Sequence, residues 1–520
     1  MDNQLFKKFD YYWFFVILTF ILCYGFFITN HSMGIDDEIV EYFGSVESGI
    51  HLGRLGILFF SQILNLYEYV PFLHELVGLL LYVIGVSFHV QNFMKILSFE
   101  KFVFDKKMAT IFSCLAISFP YLAFHFIFMD NIFLHGFILM LTANAVYYFY
   151  EFFKEKREKK YLIYVFLSLV VASSLYESAC FYFIIGCLLI EFFKLIFDEN
   201  RNFYKKALCV GFLAFFGMFF NVIIVKIIKK MMNVDYSKFQ DFLKYDTTSF
   251  NTFLYSFIQS QKAFFNKFLE TCEYNFGSLI SIIMIILFIL LSFGFTLKRK
   301  NPNILVCSFL LVIVPFTSFL LLGNYDLPYR NYSVLSFLLG GIFVLLFALL
   351  KEKKVLNKII IVVVSLIVFY NAQELNQIFY MENLKYQDDK SFMHSIMYDI
   401  KKLGVEDKPI VWVGVRENPK LKYDYIESQE INTSVFNWDR YDSFKSEINV
   451  FRGYSFFKEH GMDIKGFYDL DFQSRDDFNN FVEKVKNNAR RMQIYPKEGS
   501  IKDFGEYVII KIGESRADIE

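Results

Sequence analysis

Three acids in a row, Asp36, Asp37 and Glu38, stand shortly after the chain's first long uncharged stretch, Tyr12 to Thr29. A carboxylate moved to the centre of a bilayer costs about 2.5 kcal/mol or more, so these side chains belong at a surface or in a wet cavity. A carboxylate there can take a proton from a hydroxyl. Adjacent acids repel, which raises the pKa of one toward working pH, and partial burial adds to that. Acids also favour the first turn of a helix, where they meet the positive end of its dipole. Gly34, just before them, suits a loop-to-helix junction, and the two roles are compatible.

The second kind of chemistry is anion binding. Arg330 sits in the short segment Asn324-Tyr325-Asp326-Leu327-Pro328-Tyr329-Arg330-Asn331-Tyr332, at the start of an uncharged helix. Its planar, always-charged guanidinium can clamp a phosphate with two parallel hydrogen bonds, though it can equally snorkel or pair with Asp326. Arg54, in Gly53-Arg54-Leu55-Gly56, is similar, and its flanking glycines would let a ligand approach the backbone. Tyr176 and Glu177 fall at a tight hairpin between two short apolar runs, where they either touch sugar hydroxyls or form a solvated tip. His125 and Asp130 carry a weaker signal, because a lone histidine near a helix end is commonly a satisfied structural residue.

These groups must be positioned by membrane helices. The chain has 520 residues, 55% of them apolar and 20% aromatic, with zero net charge. Long uncharged runs on this scale mark a polytopic membrane protein, and the charge balance gives no case for a nucleic-acid partner. Seven scattered cysteines without CxxC spacing indicate neither a disulfide framework nor a metal site. No metalloprotease, phosphate-loop, nucleophile-elbow or dinucleotide-binding motif is present. A divalent metal stays open as a cofactor.

A span takes about 20 helical residues. Eleven spans are predicted, at roughly 12–29, 72–94, 107–129, 131–150, 161–176, 178–194, 206–225, 277–297, 303–323, 331–350 and 355–373. The run from Leu55 to Leu66 reads as a short re-entrant or interfacial helix. One set of loops carries Lys7 and Lys8, Lys95 to Lys107, Lys154 to Lys160, Lys298 to Lys300 and Lys351 to Lys354. The positive-inside bias makes these cytoplasmic. The acids, Arg54, His125, Tyr176, Glu177, Asp326, Tyr329 and Arg330 then share the outer side. Lys226, Lys229 and Lys230 run against the pattern at the head of the 226–276 loop. In that loop Phe250, Phe253, Leu254, Phe257, Phe264 and Phe268 recur at helical spacing, as an amphipathic interfacial helix would have them. From about residue 374 charge becomes dense. Ile410 to Val413 and Tyr507 to Ile512 read as buried strands. Phe392, Ile396, Met397 and Ile400 give one helix face, and Phe478, Phe481, Val482 and Val485 another. This is the pattern of a small α/β domain, and an odd number of spans puts it outside the cytoplasm. Trp412, Phe436 and Trp438 can stack on sugars, but core packing is the commoner role.

The acids after the first span (Gly34-Ile35-Asp36-Asp37-Glu38), then Gly53-Arg54-Leu55-Gly56, then Ser174-Leu175-Tyr176-Glu177-Ser178 and Tyr329-Arg330-Asn331, are similar to motifs of a known family. Ser434-Val435-Phe436-Asn437-Trp438-Asp439 adds to the likeness. The chain resembles the Gtr-type bacterial glucosyltransferases of the GT-C superfamily, which modify O-antigen and related surface glycans. The resemblance implies a GT-C-like transmembrane catalytic domain over 1–373 and a soluble extracytoplasmic domain over 374–520. It also implies a polyprenyl-phosphate sugar donor, a lipid-linked or surface glycan acceptor, and a bacterial inner membrane. One of Asp36, Asp37 and Glu38 would be the base. Arg330, with Arg54 and Tyr329, would hold the donor phosphate, and Tyr176, Glu177, Asp326 and His125 would contact sugar or acceptor. A polysaccharide polymerase or ligase is the alternative enzyme, but it would be expected to carry an Arg-rich outer loop. A flippase would need ionisable groups in mid-span and repeat symmetry. Only His74, Glu75, His89 and His135 fall near spans, and no repeat is seen.

Overall fold

The computed structural model describes residues 11–34, 37, 54–64, 70–99, 102–128, 132–154, 158–176, 178–198, 202–231, 250–273, 276–317, 329–417, 431, 433–440, 448–449, 452–466 and 469–514. The chain sorts into two compact units. One is Met1–Thr29 with Ser45–Gln377, and the other is Asn30–Gly44 with Ile378–Glu520. The acid-bearing segment thus sorts with the C-terminal residues.

The first unit is helical. Among the described residues, 8 helices of the chain are long and apolar enough to cross a membrane, or 9 if a bent pair counts as one span. Two of the eleven expected spans are short for a membrane crossing. Residues 161–176 form a helix of 17 residues, Lys159–Leu175, and 303–323 is helical over Asn303–Phe316. The span expected at 107–129 is broken: Lys106–Ile117 and Pro120–Phe126 meet at 51°. Proline lacks the N–H that would continue the ladder, and its ring clashes with the preceding turn. Helix Phe203–Met231 extends through Lys226, Lys229 and Lys230, which therefore lie in its last turns rather than in a loop. The amphipathic helix expected after it is present at Phe250–Glu270, and the short one at Leu55–Leu64.

Helices meet through polar pins and small residues. Helix Tyr11–Thr29 buries Tyr12, Val16, Cys23 and Phe27 while Phe14, Phe15, Ile21 and Leu22 stay exposed, as a lipid-facing stripe requires. The Tyr12 hydroxyl bonds Ser87 and Ser113 at 3.0 Å each. Helices Leu73–Ile96 and Ile132–Phe152 approach closely at glycines. A Cβ on Gly136 would lie 2.5 Å from Leu81 Cβ, and one on Gly85 2.5 Å from Leu139 Cβ. Lipid gives little hydrophobic drive for helix association, so this backbone approach is what makes the pair tight.

Helix Lys354–Leu403 runs unbroken for 50 residues, and the division between the units falls within it, after Gln377. The sequence pattern predicts a span over 355–373 and a separate helix face at Phe392, Ile396, Met397 and Ile400, and the two are one helix. No glycine or proline occurs between 354 and 403, so nothing interrupts the ladder. It stops at Gly404, whose φ of 67° suits a left-handed cap.

The second unit contains a four-stranded sheet ordered Ile448–Asn449, Ile410–Val413, Val508–Lys511, Ile501–Asp503. The central pair is parallel, with Ile410 opposite Val508, and both outer pairings are antiparallel. Both central strands are fully buried, as suits runs that are apolar but for Lys511. Trp412 is wholly enclosed beside Phe436, Tyr454 and Phe457, so it and Phe436 are core residues. Helix Arg475–Ala489 starts at Ser474, whose side chain accepts from Asp477 N, and it buries Val485 and Ala489.

Candidate functional site

In the first unit the broken span delivers His125, which is fully enclosed. The next helix, Ile132–Phe152, places His135 in its first turn, and the two imidazoles lie 3.7 Å apart between centroids. His125 Nε2 is 2.9 Å from Ser333 Oγ, which also accepts a hydrogen bond from the Tyr182 hydroxyl at 3.0 Å. Both histidine rings are 5.7 Å from the ring of Tyr176. His125 is thus buried, with Nε2 facing a hydroxyl, and it backs Tyr176.

Tyr176 is the hub. It leaves helix Lys159–Leu175 in extended conformation, with its N–H still bonded to Ala172 O. Arg330 Nε donates to the Tyr176 hydroxyl at 2.7 Å, and its guanidinium lies 4.7 Å from the Phe128 ring. The Arg54 guanidinium sits 4.5 Å over the face of Tyr176. Two cations from distant parts of the chain thus converge on one side chain, one on its hydroxyl and one on its π face. Gly56 makes this possible, because a Cβ there would lie 2.5 Å from Ser174 Oγ. The space this glycine leaves is occupied by protein rather than kept for a ligand. Tyr329 is buried, 5.1 Å from Phe124, and carries Lys267 Nζ 4.5 Å over its ring. Lys267 belongs to the amphipathic helix, which is tied down where the Tyr332 hydroxyl bonds Phe264 O at 2.6 Å. Sequence reasoning gave Lys267 no role at the site.

In the second unit Asp37 is buried, in helical conformation, and Gly34 N donates to its Oδ2 at 2.7 Å. An acid reaching back three residues to a backbone N–H makes the same contact as the acidic half of a capping box. Asp36, Glu38, Asp130, Glu177 and Asp326 lie outside the described residues, as does Gly53. Among the described residues no group of three His, Cys, Asp or Glu could hold a metal ion.

A polar cluster that sequence reasoning missed lies at the far end of helix Ile132–Phe152. Lys206 Nζ pairs with Glu191 Oε1 at 3.0 Å, and the Tyr150 hydroxyl donates to the same oxygen at 2.8 Å. Lys194 Nζ lies 4.6 Å over the Tyr150 ring. The signal was available: Glu191 interrupts an otherwise apolar run, which inside a membrane calls for a partner.

The model of one family, Glucosyl transferase GtrII, matches residues 25–347, more than half of the chain. The protein belongs to the GtrII glucosyl transferase family. No curated protein and no solved structure matches the chain. As a GtrII member it is a glycosyltransferase, with a sugar donor and a glycan acceptor as substrates. The matched span contains Asp37, Arg54, His125, His135, Tyr176 and Arg330, and it ends before most of the second unit.

Proposed function

We propose that this GtrII protein moves glucose from a polyprenyl-phosphate carrier to a surface glycan on the outer face of a bacterial inner membrane. The convergence of Arg54 and Arg330 on Tyr176 supports this reading most directly. A glycosyl phosphate donor leaves a lipid phosphate that gains charge as the sugar departs. Guanidiniums already fixed in place stabilise that charge more than they stabilise the donor, which lowers the barrier by a few kcal/mol. Tyr329, next to Arg330 in the chain, carries Lys267 over its ring and adds a further cation and aromatic to this region.

Asp37 serves as the base that takes the acceptor proton, with its second oxygen orienting it against Gly34. Asp36 and Glu38 are the neighbouring candidates. Tyr176, Glu177, Asp326 and His125 are proposed to touch or support sugar and acceptor. Orientation rests on charge. Tyr150, near the Lys-rich loops, and His135, near the arginines, are 15 residues apart on one helix, or roughly 22 Å along its axis. The arginine end is then the outer one, in a bundle of about eleven spans with a GT-C-like arrangement, and the C-terminal residues are extracytoplasmic.

The test is direct. Purified protein is incubated with polyprenyl-phosphate hexoses and a lipid-linked glycan extract, and release of free lipid phosphate is measured. Acceptor-dependent release from the glucose donor is the expected result. Release only from a pyrophosphate-linked glycan would instead identify a polymerase or ligase.

A further inference from the structure

The segment bearing Asp37 is held by one face of the long helix, all within the second unit. Asn383 Nδ2 donates to His31 O at 2.9 Å, and the His31 ring meets the Tyr386 ring edge-on at 5.5 Å. Between them, Lys385 Nζ reaches Met33 O at 3.4 Å and Glu382 Oε2 at 2.5 Å. Glu382 and Lys385 are almost wholly buried, at 1% and 2% side-chain exposure. An enclosed ion pair of this kind is poor evidence of stability, since apolar residues of similar volume commonly do as well or better. A specific task is the better account of it.

The task is visible in the connectivity. The carbonyl that Lys385 contacts and the N–H that binds Asp37 belong to the same peptide unit, Met33–Gly34. We infer that Lys385, steadied by Glu382, is a positioning residue that acts on the Asp37 carboxylate through this single peptide. A cation on the carbonyl oxygen polarises the amide, and a polarised N–H binds a carboxylate more strongly. The effect is to fix Oδ2 and favour the ionised acid. The inference rests on the reading of Asp37 as the base. Other ionisable groups facing this region are His31 and Tyr386, and Asp389, on which Lys385 and Arg416 both act.

The experiment uses the full-length protein in detergent, with undecaprenyl-phosphate glucose as donor and a lipid-linked glycan extract as acceptor. The pH dependence of kcat and the donor KM are measured for wild type, Lys385→Met, Lys385→Arg, Lys385→Met with Glu382→Gln, and Asp37→Asn. Losing the polarised donor raises the carboxylate pKa, so the acid limb of kcat moves up by about one pH unit in Lys385→Met. Its kcat falls roughly tenfold with donor KM unchanged, and Lys385→Arg restores part of both. The double variant leaves no buried lone charge to unfold the protein, and it shows the same shifted limb. If Asp37→Asn is inactive while Lys385→Met and the double variant keep the wild-type limb and rate, the inference falls and the base reading stands. If the rate drops with the limb unmoved and Arg gives no rescue, Lys385 is structural only. Normal transfer by Asp37→Asn removes the base reading and this inference together.

Discussion

Two tyrosines, Tyr150 and Tyr176, organise charge in the first unit in opposite ways. Tyr150 joins a closed set: its hydroxyl and the Lys206 ammonium share Glu191 Oε1. Tyr176 instead gathers two guanidiniums, one on its hydroxyl and one on its face. A matched pair neutralises itself and leaves little field for a ligand. Two guanidiniums on one ring suit the proposed arrival of an anionic donor. On that proposal, the same side chain marks a fastening at one end and a receptor at the other.

The sharpest way to break this contrast is to remove one member of the matched pair. Glu191→Leu leaves Lys206 buried without its counter-charge and should cost about 3 kcal/mol or more, read as a lowered Tm in detergent. Glu191→Leu combined with Lys206→Met should recover most of the loss. Donor affinity of the folded fraction should stay at the wild-type level in both.

Arg330→Ala should do the reverse, lowering kcat/KM for the lipid-linked donor roughly a hundredfold with Tm near wild type. Arg330→Lys should recover only part, since a point charge cannot reproduce the planar fork. Arg54→Ala should cost about tenfold, because Arg54 lies over the ring while Arg330 holds the hydroxyl. Equal loss of stability and activity in Arg330→Ala would make the receptor another fastening.

A smaller effect compares the hydroxyls themselves. Tyr150→Phe should lower stability by about 1 kcal/mol, while Tyr176→Phe should lower kcat/KM about fivefold with Tm unchanged. The smallest concerns the second unit. His460 Nε2 faces the Tyr386 hydroxyl at 3.0 Å and Nδ1 faces Phe456 O at 2.8 Å. Burial holds its pKa below the ordinary 6.5, and Lys390 and His394 push the same way, against the Phe456 carbonyl and Glu459. A depressed base favours folding above its unfolded pKa and loses that contribution as pH falls. The Tm should therefore drop between pH 7.5 and 5.5, and less so in His460→Gln.

Helix type was legible where the signal is local, while the span count was not: eleven were expected and 8 or 9 pass by length and composition among the described residues. Apolar runs announced the spans, the period of phenylalanines announced Phe250–Glu270, and short β-branched runs announced Ile410–Val413 and Val508–Lys511. Errors arose where a local cue was read too weakly. Pro120 was available to break the span through 107–129, and the absence of any glycine or proline was available to join 355–373 to 392–400. The site was legible in residue type more than in arrangement. Arg330 and Tyr176 are 154 residues apart, and nothing in either neighbourhood reports their 2.7 Å hydrogen bond. Asp37 stood out as an acid after a span, but its tie to Lys385 runs across some 350 residues of chain and through a backbone amide, which carries no sequence signature.

The break at Pro120 bears on how the chain enters a membrane at all. Ending a helix inside lipid strands its last carbonyls, and each such group costs several kcal/mol if nothing bonds it. Here the Tyr24 hydroxyl donates to Ile117 O at 2.7 Å and the Tyr82 hydroxyl to Ala116 O at 3.3 Å. Both tyrosines belong to helices synthesised earlier, Tyr11–Thr29 and Leu73–Ile96. The order of translation thus supplies the partners before the segment that needs them. Replacing both with phenylalanine should stall the segment after its first half at the insertion machinery, seen as prolonged cross-linking of the nascent chain.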